Sequence, residues 1–353
     1  MAHNSENQIL LIFLARITFL SLAEKLKLFK KLDNSDSLAL LSIEDLRNIT
    51  GRPLSRVLWD ASENLRHAKQ ELVIIQAKKI KIIPYFSAEY PALLRESVNP
   101  PFALFCIGNI ACLSEKTVSV VGSRHTVPEA SRAAFNFAYD AANAGVTVIS
   151  GLAFGLDAAS HAGAVEANFK KQNDCTLGKT CAVLPCGIDT IVPSANKKLA
   201  ENIIATGGAI ISEYVPGISS EKWRFVQRNR IVAALSPATL VVYAPSGSGA
   251  LITANMALEA GRDVLFHKAA FCEGAKMQRD LLDENLKKKI QKGNAASSRI
   301  ENTPEKYLEA GAPVIESYQD YCRCMAEMPG TRRYLEKNVQ FELFENKDFQ
   351  SYV

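Results

Sequence analysis

Between Val118 and Phe266 the chain repeats one pattern six times. Short apolar runs at Val118–Val121, Val146–Ser150, Thr180–Leu184, Ala209–Ser212, Thr239–Tyr243 and Asp263–Phe266 alternate with helical segments. Runs this short, nearly continuous in apolar residues and bounded by glycine, are how parallel strands buried on both faces read. Alternation with helices of about ten to eighteen residues predicts a doubly wound, mostly parallel α/β sheet. In such a sheet a ligand binds outside the carboxyl ends of the strands, so topology alone nominates one edge as the functional one.

Four polar segments follow these strands or lead away from them: Val121-Gly122-Ser123-Arg124, the stretch from Ser150 to Asp157, Phe225 to Leu235, and Ala244 to Ala250. Glycine and serine let backbone N–H groups approach an anion, and arginine adds a planar fork of donors for phosphate. Gly122-Ser123-Arg124 lacks the later glycines of the dinucleotide fingerprint, and Ser246 to Thr253 has no Gly-Lys pair of a Walker loop, so neither spacing calls for a cofactor. Arg228 and Arg230 flank Asn229 at an expected helix start, where free N–H groups favour an anion. Phe225 reads as a core residue or, beside two arginines, as a base-stacking ring. Asp157 and His161, one helical turn apart, fit a first-turn carboxylate packed near a histidine as well as a dyad, and Glu213 fits an orienting partner for Arg228 or Arg230. No nucleophile–base pair accompanies the four segments. The pattern points to holding a polyanion, not to cutting one.

A net charge of +4 in 353 residues requires any nucleic-acid contact to come from a focused patch. The eight cysteines include no C-x-x-C pair and no zinc spacing, which fits a reducing cytoplasm and predicts no metal. Ile9 to Leu20 is apolar but has no basic leader and is too short to span a bilayer, so a buried helix is expected. Residues 1–80 read as a small helical domain, SAM-like or helix-hairpin-helix-like, with a capping box at Ser42-Ile43-Glu44-Asp45, a break at Gly51-Arg52-Pro53 and strand character only at Leu72 to Ile75. A proline-rich connector runs from Ile82 to Phe102. Asp280 to Glu305 is rich in lysine, with Lys287, Lys288, Lys289 and Lys292, and reads as a solvated helix running into a loop, or as an auxiliary DNA contact.

From about Pro84 to Phe266 these segments together resemble the DNA-processing protein A family (DprA, also called Smf). The resemblance rests on Tyr90-Pro91-Ala92-Leu93-Leu94, Val120 to Arg124, Ser150 to Asp157 with Ala159-Ser160-His161, Ile211-Ser212-Glu213-Tyr214, Phe225 to Leu235, Ser248 to Ala254 and Glu259-Ala260-Gly261-Arg262, with Tyr307 to Val314 closing the series. Their number and order make it specific. It implies an extended Rossmann-like domain over 81–320, with 273–305 as an inserted loop. It further implies single-stranded DNA as ligand, a role in natural transformation, a RecA-type recombinase as partner, a homodimer and no catalysis. By position it nominates Gly122, Ser123, Arg124, Gly151, Gly155, Asp157, Lys197, Phe225, Arg228, Asn229 and Arg230, to which the fourth turn adds Ser248 and Gly249.

The chain departs from the family pattern at Val192-Pro193, at Val242-Tyr243-Ala244 and at His267-Lys268-Ala269, all on the presumed binding edge. After Ala312 about forty residues remain, so 321–353 is expected to be an extension without a complete winged helix. The competing function is a nucleotide-processing hydrolase of the phosphoribohydrolase type on the same sheet. Its Pro-Gly-Gly-x-Gly-Thr-x-x-Glu motif would fall at Ser246 to Ala254, which offers no terminal carboxylate.

Overall fold

A computed structural model describes residues 2–54, 58–171 and 176–326. Five helices come first: α1 (Ala2–Arg16), α2 (Leu22–Lys31), α3 (Ser35–Ala39), α4 (Ile43–Thr50) and α5 (Ala61–Ala77). Local chemistry sets their starts. Ser21 with Glu24 and Ser42 with Asp45 form capping boxes, and the side chains of Asn34 and Asp60 accept from backbone N–H groups of α3 and α5. The apolar run from Ile9 to Leu14 is buried, as expected for a core helix. Leu72 to Ile75 belongs to α5 and not to a strand. Ala68, Glu71, Leu72 and Ile75 are the buried positions, and that helical period overrides the β-branched composition. These helices share one apolar cluster with Phe102 and Phe105, with Leu184 and with Ile203, so they cover part of one face of the sheet.

The sheet has nine strands among the described residues, in the order β1-β2-β6-β5-β4-β3-β7-β8-β9. They are β1 (Lys81–Pro84), β2 (Ala103–Gly108), β3 (Thr117–Val121), β4 (Thr147–Ser150), β5 (Thr180–Val183), β6 (Ala209–Ser212), β7 (Ala238–Val241), β8 (Asp263–His267) and β9 (Val314–Ile315). Only β2 runs against its neighbours; the six pairings from β6 to β9 are parallel. The architecture is the extended Rossmann-like, doubly wound sheet that the alternation predicts. The connector residues Ile82 and Ile83 add an edge strand, a position where the following Pro84 loses no ladder bond that a central strand would need.

The connections are α6 (Ala92–Arg95), α7 (Pro128–Asn143), α8 (Leu156–Lys170), α9 (Lys197–Ala205), α10 (Lys222–Ala234) and α11 (Gly249–Glu259). Val118 and Val120 enter the core beneath α7, whereas Val121 enters the one beneath α10 and α11. That two-sided burial explains the unbroken apolar runs. β3 lies between β4 and β7, the point where strand order reverses.

The segment 273–305, expected as an inserted loop, is largely helical: α12 (Glu273–Gln291) is followed by α13 (Ser298–Glu301) and α14 (Pro304–Glu309). It is fixed to the turn after β7 by polar clasps, Ser246 Oγ to Asp283 at 2.6 Å and Arg299 Nη2 to the Gly247 carbonyl at 2.7 Å, and braced internally by Arg279 to Glu305 at 2.7 Å. The chain then adds β9 and α15 (Tyr318–Ala326). Most of the expected extension, 327–353, lies outside the described residues. No helix among those described is long and apolar enough to cross a membrane.

Candidate anion-binding rim

The arginine segment lies differently from expectation. α10 begins at Lys222, so Arg228, Asn229 and Arg230 sit in its second and third turns, away from its free N–H groups. The helix continues upstream because Trp223 to Gln227 contains no breaker. Arg228 is 3% exposed. Its Nη1 donates to the Gly151 carbonyl at 2.6 Å and to the Val183 carbonyl, closing the carboxyl ends of β4 and β5 together. It is a buried clamp, not a surface phosphate ligand. Burial draws its pKa down to about 10, which leaves it cationic at neutral pH. Asp157 lies beside it, its Oδ2 accepting from Gly151 N at 3.2 Å and Ala153 N at 3.3 Å. Burial pushes the Asp157 pKa upward, against the pull of Arg228 and of those N–H groups.

His161 is fully buried on the same helix as Asp157. Thr180 gives its hydroxyl proton to the Val148 carbonyl at 2.8 Å, so the 2.7 Å contact between His161 Nδ1 and Thr180 Oγ1 has the imidazole as donor. Burial holds the ring neutral, with its pKa near about 3. Arg230 forms a two-point pair with Glu213, at 2.8 and 2.7 Å, in a largely buried setting. This is the orienting partnership anticipated for Glu213.

The turn glycines serve close approach of protein to protein. A Cβ on Gly151 would stand 2.5 Å from the guanidinium carbon of Arg228, and one on Gly122 would collide with Leu156. Gly155 has φ +77°, and its Cβ would stand 2.5 Å from the Ser123 carbonyl oxygen. The β4 turn is thereby wedged beneath the β3 turn, while Ser123 N donates to the Tyr243 carbonyl at 2.8 Å and ties in β7. Replacing Gly155 by alanine is expected to destabilise the protein by about 1–3 kcal/mol, since strain and collision coincide there. Urea unfolding monitored by circular dichroism measures it, and an unchanged midpoint would remove the wedge from the account.

What remains accessible is a short rim. Arg124 is exposed, with its guanidinium carbon 5.0 Å from the centroid of the half-buried Phe225 ring. Lys197 is exposed at the start of α9, directly after Asn196, whose amide donates to the Leu152 carbonyl at 2.8 Å and to that of Ala153. Phe154, half exposed on the β4 turn, and Asn196 were not among the nominated residues; a bulky aromatic between small turn residues was the available signal for Phe154. Asn229 Nδ2 donates to the Gly249 carbonyl at 3.3 Å, which links α10 to the start of α11. Gly249 is exposed and Ser248 half-buried.

The fourth turn is already engaged. Ser246 N and Oγ donate to the two carboxylate oxygens of Asp283, at 3.0 and 2.6 Å. Two departures from the family pattern prove to lie off the rim. Tyr243 is fully buried, and His267 is 6% exposed, with Nε2 at 3.0 Å from the Glu316 carbonyl and Nδ1 accepting from Ala269 N. Both side chains are packed inside the protein. Among the described residues no group of three His, Cys, Asp or Glu side chains is placed to hold a metal ion.

Comparison with known proteins follows the same outline. The sequence model of the family DNA recombination-mediator protein A matches residues 81–320. Protein Smf of Borreliella burgdorferi is 33% identical over 278 residues, covering 78% of this chain and 85% of that protein. The DNA processing protein DprA of Bacillus subtilis is 34% identical over 194 residues, 55% of this chain and 62% of the relative. In three dimensions the chain is similar to DNA processing protein A of Streptococcus pneumoniae, at 26% identity and a TM-score of 0.64, over 89% of this chain and 97% of that one. A structure of DNA processing protein A from Helicobacter pylori, described by its single-stranded DNA binding mode, shares the fold at 22% identity and a TM-score of 0.52, over 70% and 95%.

Proposed function

The chain belongs to the DNA recombination-mediator protein A family, the DprA/Smf proteins, and on that footing we propose that it binds single-stranded DNA without catalysis. One observation carries the reading: an exposed Arg124 guanidinium lies 5.0 Å over the Phe225 ring at the carboxyl edge of the sheet. A cation beside an aromatic face suits a strand whose phosphates and unpaired bases are both on offer. Lys197 extends the cationic edge along α9, and Gly249, Ser248 and Asn229 form its other end. Gly122, Ser123, Gly151, Gly155, Asp157, Arg228 and Arg230 act behind that surface by holding the turns in register. The single-stranded DNA binding mode named for the Helicobacter pylori protein supports single-stranded DNA as the ligand class.

The absence of catalysis is supported by what happens to the acid and base candidates. His161 is neutral and sealed, Asp157 is bonded to its own turn, and Glu213 is paired with Arg230. The hydrolase alternative needs a reachable carboxylate at the fourth turn, and the one present, Asp283, is clasped by Ser246. We further infer a role in DNA uptake in natural transformation, handing bound strands to a RecA-type recombinase, with the protein acting as a homodimer in the cytoplasm. The family's description as a recombination mediator is the support for the hand-over.

The test is a titration of the purified protein with single- and double-stranded oligonucleotides of equal length across a range of salt. Tighter binding to the single strand, with a log–log salt slope of about −0.7 per phosphate neutralised, is expected. Equal affinity for both forms, or release of free base from a nucleoside monophosphate, would overturn the reading.

A further inference from the structure

We propose that Asp283 is a built-in competitor for DNA phosphate, and that α12, which carries it, is a displaceable strap over the turn between β7 and α11. This rests on the DNA-binding reading and adds to it a masked phosphate position. The turn lies at the reversal of strand order, where a doubly wound sheet places its ligand. Ser246 is 7% exposed, yet its N–H and its hydroxyl both point at one carboxylate, at 3.0 and 2.6 Å. Two phosphate oxygens can take up the same pair of donors. Beneath the clasp the hydroxyl of fully buried Tyr243 has no hydrogen-bond partner, and Asp283 and Arg279 are among the charges around it.

The strap is lightly held. Of the nineteen residues of α12 only Ala275 and Leu286 are buried, whereas Met277 is 69% and Leu281 60% exposed. Its attachment is therefore polar: Asp283 on Ser246, Arg279 on Glu305, and Arg299 just beyond it on the Gly247 carbonyl. An element with few buried apolar contacts opens at low free-energy cost. Exposed Lys287, Lys288, Lys289 and Lys292 near its far end give a nucleic-acid backbone something to attract once Asp283 has let go.

Asp283→Asn keeps the shape and removes the charge. Compared with the parent protein, it is expected to bind a single-stranded oligothymidine several-fold more tightly, with a salt slope steeper by about 0.7, one additional phosphate. Glu284→Gln, the same charge change on the exposed neighbour, should fall well short of this. Adding Ser246→Ala to Asp283→Asn should abolish the gain. In parallel, inorganic phosphate should raise the melting temperature of Asp283→Asn and not that of the parent. Equal effects of Asp283→Asn and Glu284→Gln reduce Asp283 to a general surface charge and overturn the strap. If the parent and Asp283→Asn bind no oligonucleotide, the DNA reading fails, and the phosphate arm alone decides whether the turn is a masked anion site. A melting temperature indifferent to phosphate in Asp283→Asn then sinks it.

Discussion

Reversing the charge of Arg124 to glutamate is expected to weaken single-stranded DNA binding about tenfold to a hundredfold, on every sequence tried. A hydrogen bond to a charged group contributes about 1.5–3 kcal/mol, which by itself spans that range, and repulsion from the new carboxylate moves the effect toward its upper end. The salt slope should flatten by about 0.7 for each phosphate that loses its partner. Arg124 is exposed and forms no ion pair among the described residues, so the fold should tolerate the change. Phe225→Ala separates charge from stacking. It should lower affinity by about 1–3 kcal/mol while leaving the slope nearly unaltered. Fluorescence anisotropy at several salt concentrations reads both quantities, with thermal unfolding as the check on nativeness. Should a natively stable Arg124→Glu protein keep both affinity and slope, the rim does not carry the DNA.

Sequence alone already nominated Arg124, but together with Arg228 and Arg230, and that the latter two are largely buried has a physical cause. Alternation of apolar runs and helices was enough to place the sheet, because burial on both faces leaves a mark on every strand residue. The order of motifs led to the family. Which arginine stays exposed was not legible. Arg124, Arg228 and Arg230 are the same residue type in glycine- and asparagine-rich surroundings, and only tertiary packing decides which is left free. Gly151 admits the Arg228 guanidinium, and Glu213 pairs with Arg230, so the two arginines of α10 are structural. Asp283 was hidden for a related reason. Its partner Ser246 is thirty-seven residues away, and Asp283 itself lies inside a segment that composition described as lysine-rich and loop-forming.

Removing the Arg228 guanidinium should therefore act on stability before it acts on DNA. Arg228→Met preserves much of the stem and leaves the carbonyls of Gly151 and Val183 without their shared donor, with the Asp157 carboxylate buried beside an uncharged thioether. A hydrogen bond from a charged donor contributes about 1.5–3 kcal/mol, and Arg228 Nη1 makes two to buried carbonyls, so a clear fall in the urea midpoint is expected at neutral pH. The pH dependence identifies the cause. Burial already raises the folded-state pKa of Asp157, and Arg228 opposes that rise. Without the arginine the folded pKa climbs further above the unfolded value of about 3.9. In the window between those two values the folded protein binds more protons than the unfolded chain, so stability falls as pH rises through it. The deficit of Arg228→Met relative to the parent should accordingly be greatest at neutral pH and shrink on acidification toward about 4. Adding Asp157→Asn should restore part of the loss and remove most of its pH dependence. A deficit that is constant with pH would mean that lost packing, and not an uncompensated carboxylate, is what Arg228 prevents; no deficit at all would show that the carboxyl ends of β4 and β5 are held together without it.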